Sequence, residues 1–192
     1  MPRTRTFIGI DIAEATRDRA LALQQSLAKT GAEVKWAAPE TMHVTLLFLG
    51  EVDDRDLHAV CRATQQVAAR EPAFDLAVSG VGAFPNARRP KILWAGITEG
   101  AEELRRLYDE LETRMLDLGC YRKEERGYTP HLTLGRAKAE RDGFALAPEL
   151  PKLADWDGGR TTVDEVLVFS SDLTRDGPVY TVIGRGELKG IA

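Results

Sequence analysis

Two of the three histidines in this chain carry the same neighbours. His43 opens His43-Val44-Thr45-Leu46, and His131 opens His131-Leu132-Thr133-Leu134. Imidazole is the side chain whose ordinary pKa lets it both give and take a proton near neutral pH. A matched pair can therefore act as acid and base on one bond. Threonine hydroxyls can donate hydrogen bonds to the non-bridging oxygens of a phosphate. With 15 Thr and 22 Leu in 192 residues, two such matches among three histidines would arise by chance in roughly a few cases per ten thousand. His58, in Asp56-Leu57-His58-Ala59-Val60, has no Thr two residues on and reads as structural or exposed. Paired histidines also bind metals. Here, however, there is no His-Glu-x-x-His and no cysteine cluster, and neither motif histidine lies in an Asp-x-His, whereas zinc takes three or four protein ligands. General acid–base work with no metal and no cofactor is the expectation.

The motifs lie 131 − 43 = 88 residues apart, close to half the chain. That spacing suggests a duplicated unit in which each half delivers one His-x-Thr strand. In a strand, residues i and i+2 share a face. His43 and Thr45 then face one way, with Val44, Leu46 and Phe48 on the other. His131 and Thr133 face one way, with Leu132 and Leu134 opposite. Two such strands around a pseudo-twofold axis would bring two imidazoles and two hydroxyls into one cleft.

The rest of the chain supplies a frame for these strands. Arg5–Ile12 reads as a strand, Glu14–Thr30 as a helix stopped by Gly31, and Val34–Ala37 as a short strand. Met42–Leu49 is a strong strand, followed by a helix over Arg55–Arg70 capped by Asp53 or Asp54. Phe74–Val81 and Ile92–Ile97 pair as a hairpin. Ala101–Leu118 is an amphipathic helix with Leu104, Leu107, Leu111, Met115 and Leu118 on its apolar stripe and Gly119 as its stop. Pro130 precedes the strand His131–Arg136. Asp142–Gly159 reads as irregular with one helical turn, and Thr161–Phe169 and Val179–Leu188 as the last two strands. About eight strands and three helices in mixed order make an α+β fold of antiparallel sheets covered by helices. No glycine-rich phosphate loop follows any strand.

Composition sets the outer bounds. Lys and Arg number 26 against 30 Asp and Glu, a net charge of −4, which argues against coating nucleic acid by bulk charge. The charge is uneven. Leu76–Thr98 holds Arg88, Arg89 and Lys91 and no acid, and Tyr121–Arg141 holds six basic residues, Arg126 among them, against three acids. The acid-rich segment Glu99–Asp117 reads as a solvated helix face. An acidic body with a local basic patch suits a small anionic ligand or one strand end. No apolar run approaches the roughly 20 residues of a spanning helix, and no apolar signal core follows the first residues, so a cytoplasmic protein with no membrane partner is expected. Cys61 and Cys120 read as buried or inert thiols.

These residues resemble the two-histidine phosphoesterases, and within them the RNA 2′,3′-cyclic phosphodiesterases, also called the bacterial 2′-5′ RNA ligase family. The resemblance runs from Phe7-Ile8-Gly9-Ile10 through His43–Gly50 and the Gly82-Ala83-Phe84-Pro85 to Trp94-Ala95-Gly96 hairpin. It continues through Pro130-His131-Leu132-Thr133-Leu134-Gly135-Arg136 and the Ser170–Tyr180 tail. It implies one bilobal, duplicated α+β catalytic domain over residues 1–192, with antiparallel sheets lining a central cleft and helices outside. It implies metal-independent opening of a 2′,3′-cyclic phosphate at an RNA end to a 2′-phosphate. His43 would be proton donor and His131 proton acceptor, although the near-symmetric halves cannot order the roles by spacing. Thr45 and Thr133 would hold phosphate oxygens. Arg136 matches a basic residue ending the second motif in close relatives. Strict alternation turns Arg136 away from His131 and Thr133, and only a bulge or kink at Gly135 would return it. Tyr128, Phe84 and Tyr180 are candidates for stacking on a splayed base. RNA ends are the expected partner, with a monomer and no obligatory protein partner.

Three other readings remain. The same acid and base run backwards would join RNA ends through a 2′-5′ bond. A small cyclic nucleotide could replace RNA. An RNA-end-binding module with a vestigial site is the non-enzymatic alternative, against which two complete His-x-Thr pairs argue.

Overall fold

The computed structural model describes residues 2–123, 127–175 and 177–190. Glu124, Glu125 and Arg126 of the basic segment lie outside the described residues. In chain order the elements are β1 (Arg3–Asp11), α1 (Glu14–Ala28), β2 (Val34–Trp36), β3 (His43–Asp53), α2 (Leu57–Ala68), β4 (Phe74–Phe84) and β5 (Ile92–Ile97). Then follow α3 (Ala101–Asp117), β6 (His131–Ala137), α4 (Glu140–Leu146), β7 (Asp157–Val163), β8 (Glu165–Leu173) and β9 (Pro178–Glu187). The strands form one antiparallel sheet in the order β7-β4-β5-β6-β3-β1-β8-β9, with β2 added to β6. The two motif strands, β3 and β6, are therefore central neighbours, each flanked by three further strands in that order. The α+β class and the antiparallel sheet with helices on one side follow the expectation.

The main core lies between the sheet and the helices. Leu104, Leu107, Leu111 and Met115 of α3 are fully buried there, with Ala20, Leu23 and Leu27 of α1 and Val60 and Val67 of α2. Val44, Leu46, Leu132 and Leu134 point into the same core. The opposite face of the sheet carries a small separate cluster of Phe7, Leu167 and Phe169, with Tyr180 and Val182 packed on it. The histidines sit on this second face.

Four expectations change. There are nine strands among the described residues, because the apolar run read as one strand from Thr161 is two. Asp164 separates β7, which pairs with β4, from β8, which pairs with β1 and β9. Strand-forming residues lie on both sides of Asp164 and Glu165, so the stretch reads as one strand. Glu140–Leu146 is a true helix, tied down by Asp142, whose carboxylate accepts the Ala139 and Glu33 N–H groups. Leu118 is 41% exposed, since α3 ends at Asp117 and Gly119 turns the chain at φ +69°. Phe48, placed on the apolar face by alternation, is 40% exposed; its displacement is a property of the site.

Candidate active site

The site is built by strand register. Val44 pairs with Leu132 in the β3–β6 ladder. The antiparallel arrangement then sets His43 beside Thr133 and Thr45 beside His131, with directly opposite Cβ atoms about 4.5–5.5 Å apart. The four motif side chains form one cross-strand quartet, and the pseudo-twofold axis passes between Val44 and Leu132. On the far side of β3, Asp11 of β1 stands opposite His43 and Gly9 opposite Thr45. On the far side of β6, Gly96 of β5 stands opposite His131 and Trp94 opposite Thr133.

Each strand is interrupted at the same place. In β3 the register with β1 slips between Thr45 and Leu47, leaving Leu46 unpaired. In β6 the register with β5 slips between Thr133 and Gly135, leaving Leu134 unpaired. An extra residue in one strand breaks the alternation beyond it. Both Leu46 and Leu47 are therefore buried, as are Leu134 and Gly135, and the fifth residue after each histidine returns to the histidine's face. Those residues are Phe48 and Arg136. Arg136 is exposed, and its ladder partners are Lys35 of β2 and Ile92 of β5. A Cβ on Gly135 would come within 2.8 Å of Trp36 and Val34, so this bulge requires glycine where β2 crosses closely.

Hydrogen bonds fix both rings alike. His43 Nδ1 lies 2.7 Å from the Thr41 carbonyl, and His131 Nδ1 lies 2.7 Å from the Thr129 carbonyl. A carbonyl oxygen can only accept, so Nδ1 carries a proton in both rings and Nε2 is the atom left to exchange one. His43 Nε2 is 2.8 Å from the Thr45 hydroxyl. Thr41 and Thr129 extend the repeat to Thr-x-His-x-Thr-Leu. That shared Thr at the −2 position was visible in the sequence, but its backbone oxygen, not its side chain, does the orienting.

The surroundings of the two rings differ. Phe7 stacks on His43 at 4.7 Å between centroids, and Tyr180 meets the ring edge-on at 5.4 Å. Burial pushes the His43 pKa down, the Thr41 carbonyl and the Asp11 carboxylate oppose that, and His131 adds to the lowering. Asp11 is itself paired with Arg17. Burial also lowers His131, against the pull of the Thr129 carbonyl; no carboxylate faces it from the Gly96 position. Phe84 packs edge-on to His131 at 5.1 Å. Tyr128 donates to the Thr45 carbonyl at 3.0 Å. Tyr180, Phe84 and Tyr128 thus all reach the quartet. His58 lies away from it, exposed on α2, with its Nε2 2.9 Å from Arg62. Cys61 and Cys120 are half-buried, and burial raises both thiols. Among the described residues no three His, Cys, Asp or Glu side chains cluster as metal ligands.

A family model of the 2′-5′ RNA ligase superfamily matches residues 13–175. The chain belongs to this superfamily. Its curated relatives include the RNA 2′,3′-cyclic phosphodiesterase of Methanothermobacter thermautotrophicus, 33% identical over 179 residues, 93% of this chain and 96% of that one. The RNA 2′,3′-cyclic phosphodiesterase of Thermotoga maritima is 33% identical over 186 residues, covering 97% of this chain and 96% of its own. Among solved structures, TT0787 of Thermus thermophilus superposes with a TM-score of 0.81 at 26% identity over 97% of this chain and 98% of its own. Escherichia coli LigT shares the fold with a TM-score of 0.77 at 23% identity, covering 97% of this chain and 98% of its own. The resemblance to two-histidine phosphoesterases thus holds for the superfamily and for the fold. No helix among the described residues is long and apolar enough to cross a membrane.

Proposed function

We propose that this superfamily member opens 2′,3′-cyclic phosphate ends of RNA by paired histidine catalysis, without a metal ion. The observation that carries the reading is the quartet. Two Nε2 atoms of equivalent, pinned imidazoles and two threonine hydroxyls share one face of the sheet. Its closely related curated relatives are named for this hydrolysis.

In the proposed step His131 Nε2 takes a proton from a water molecule as its oxygen attacks phosphorus. The P–O3′ bond breaks, and His43 Nε2–H gives its proton to O3′. The product keeps the phosphate on O2′. Asp11 stands opposite His43, with glycine at the equivalent place opposite His131, and its carboxylate opposes the lowering of His43 by burial; the order of roles itself follows the family resemblance. Thr45 and Thr133 donate to the non-bridging oxygens. Arg136, returned to this face by the bulge at Leu134, contacts phosphate as a charged donor. A 5′-hydroxyl in the place of water would give a 2′-5′ joint by the same transfers. Both motif strands serve one site, so the two halves act as one catalytic domain.

The test is direct. Chelator-treated protein is incubated with a short RNA ending in 2′,3′-cyclic phosphate, and the product isomer is identified. A 2′-phosphate formed at undiminished rate is expected. Loss of turnover in chelator, restored by a divalent ion, would overturn the metal-free mechanism.

A further inference from the structure

The Thr41 carbonyl pins the His43 ring, so whatever fixes Thr41 also aims the imidazole. Thr41 closes a short turn, Pro39–Thr41, between β2 and β3. Within the turn the Thr41 N–H donates to the Ala38 carbonyl at 2.9 Å, and the Met42 N–H donates to the Pro39 carbonyl at 3.2 Å. Those bonds shape the turn but do not orient it against the sheet. Two side chains of α1 do. Arg17 and Gln24 lie seven residues apart, about two helical turns, on one face of the helix. Gln24 is 5% exposed, and its amide nitrogen donates to the Ala37 carbonyl at 3.0 Å and to the Leu134 carbonyl at 2.9 Å. It ties the approach to the turn to the bulge of β6.

Arg17 holds the turn itself. Its Nε donates to the Pro39 carbonyl at 3.1 Å, its Nη1 to the Ile12 carbonyl at 2.7 Å, and its Nη2 to the Asp11 carboxylate. All three guanidinium nitrogens are engaged, on a side chain that is 23% exposed. The same Asp11 oxygen accepts the Ile12 N–H at 2.9 Å, and Asp11 stands opposite His43 in the β1–β3 ladder. One guanidinium thus joins the residue opposite His43 to the turn whose final carbonyl pins His43. A planar fork of donors can hold three acceptors in fixed directions, whereas the compact ammonium of lysine cannot. The second motif is braced by a different bond, from the Tyr128 hydroxyl to the Thr45 carbonyl. Loss of Arg17 therefore acts on one ring of the pair.

We infer that Arg17 is a positioning residue for His43, holding the Thr41 carbonyl and the Asp11 carboxylate in the places that aim Nε2 at the departing oxygen. The inference rests on the proposed function, in which His43 gives its proton to O3′. Arg17 acts through the main chain and Asp11, so its loss should lower kcat and leave KM. The loss should also fall on the protonation of the leaving group and not on the attack of water.

Kinetics on two substrates test it, a nucleoside 2′,3′-cyclic phosphate and its analogue with sulfur in place of O3′. An alkoxide must be given a proton to depart, whereas a thiolate, whose thiol has an ordinary pKa of about 8.5, departs without one. His43→Ala sets the standard and should lose far more rate on the oxygen substrate than on the sulfur one. Arg17→Met should show the same selectivity in weaker form. Its kcat on the oxygen substrate should fall about 10- to 100-fold, the scale of a slightly misplaced catalytic group, with KM unchanged and most of the rate on sulfur kept. Arg19→Met, which removes a guanidinium paired with Asp157 of β7, should match wild type on both. Circular dichroism of each variant checks folding; if Arg17→Met is unfolded, Arg17→Lys keeps the charge but not the fork and carries the same expectation at smaller size. Equal losses on both substrates, or no loss on either, in a folded Arg17 variant would overturn the inference while leaving hydrolysis intact. Failure of wild type to open the oxygen substrate, or equal losses on both substrates in His43→Ala, would instead overturn the proposed function.

Discussion

Tyr128 donates its hydroxyl to the main-chain carbonyl of Thr45 at 3.0 Å, which ties the approach to the second motif to the middle of the first. Tyr128 precedes His131 by three residues, and Thr45 sits beside His131 across the β3–β6 ladder. The bond therefore spans the joint between halves, where one ladder pair, Val44 with Leu132, connects the central strands. Burial pushes the Tyr128 pKa well above its ordinary value, so the hydroxyl keeps its proton and remains a donor throughout the working pH range.

Tyr128→Phe should accordingly keep the ring stack on Tyr108 and lose the strut. One ordinary hydrogen bond is worth about 0.5–1.5 kcal/mol. Denaturant unfolding should show a loss of that size, and kcat should fall as the spacing between Thr45 and His131 relaxes. Unchanged stability and unchanged turnover would show that the bond has no role in the joint.

Burial lowers both histidine pKa values. The active form needs one ring protonated and the other neutral, so kcat/KM against pH should be a bell whose centre lies below the ordinary imidazole value of about 6.5. The two limbs belong to the pair. The same shifts bear on stability. Each ring binds a proton less readily when folded, so the unfolded chain takes up more protons as pH falls below about 6.5. The stabilisation present above that value is lost as pH drops through the folded pKa. His43→Gln should flatten the decline in unfolding free energy between about pH 7 and 5. An identical decline in the variant would contradict the lowered pKa of His43.

Gly9 stands opposite Thr45, and a Cβ there would meet the Val44 carbonyl at 2.9 Å and His43 Cδ2 at 3.4 Å. The carbonyl belongs to the central strand and cannot rotate away. Gly9→Ala should therefore cost about 1–3 kcal/mol as an overpacked contact and lower activity more than a surface substitution does. Thermal unfolding and turnover of this one variant check both effects.

The histidine pair, the threonines and the antiparallel α+β frame were legible because strand period and a repeated motif carry them. Phe48 was not. Alternation assigns it to the core, and the unpaired Leu46 that reverses this looks in sequence like any other apolar residue in a strand. The same slip at Leu134 brings Arg136 round, and there Gly135 left a trace, since a glycine inside a strand marks a bulge or a close approach. The division between β7 and β8 at Asp164 was hidden for a related reason: Thr161, Thr162 and Val163 before it and Val166, Leu167, Val168 and Phe169 after it are all strand formers, and only Asp164 lies between the two strands.

The central claim is that His43 and His131 exchange protons with the substrate as a unit, and single-turnover hydrolysis of an RNA 2′,3′-cyclic phosphate end by His43→Ala, His131→Ala and the double variant tests it most directly. Each single variant should lose roughly 10²- to 10⁴-fold in rate while staying folded, because both rings lie off the core built by Val44, Leu46, Leu132 and Leu134. The double variant should lose less than the product of the two, and His58→Ala should match wild type. Full turnover by folded His43→Ala and His131→Ala proteins would contradict the account.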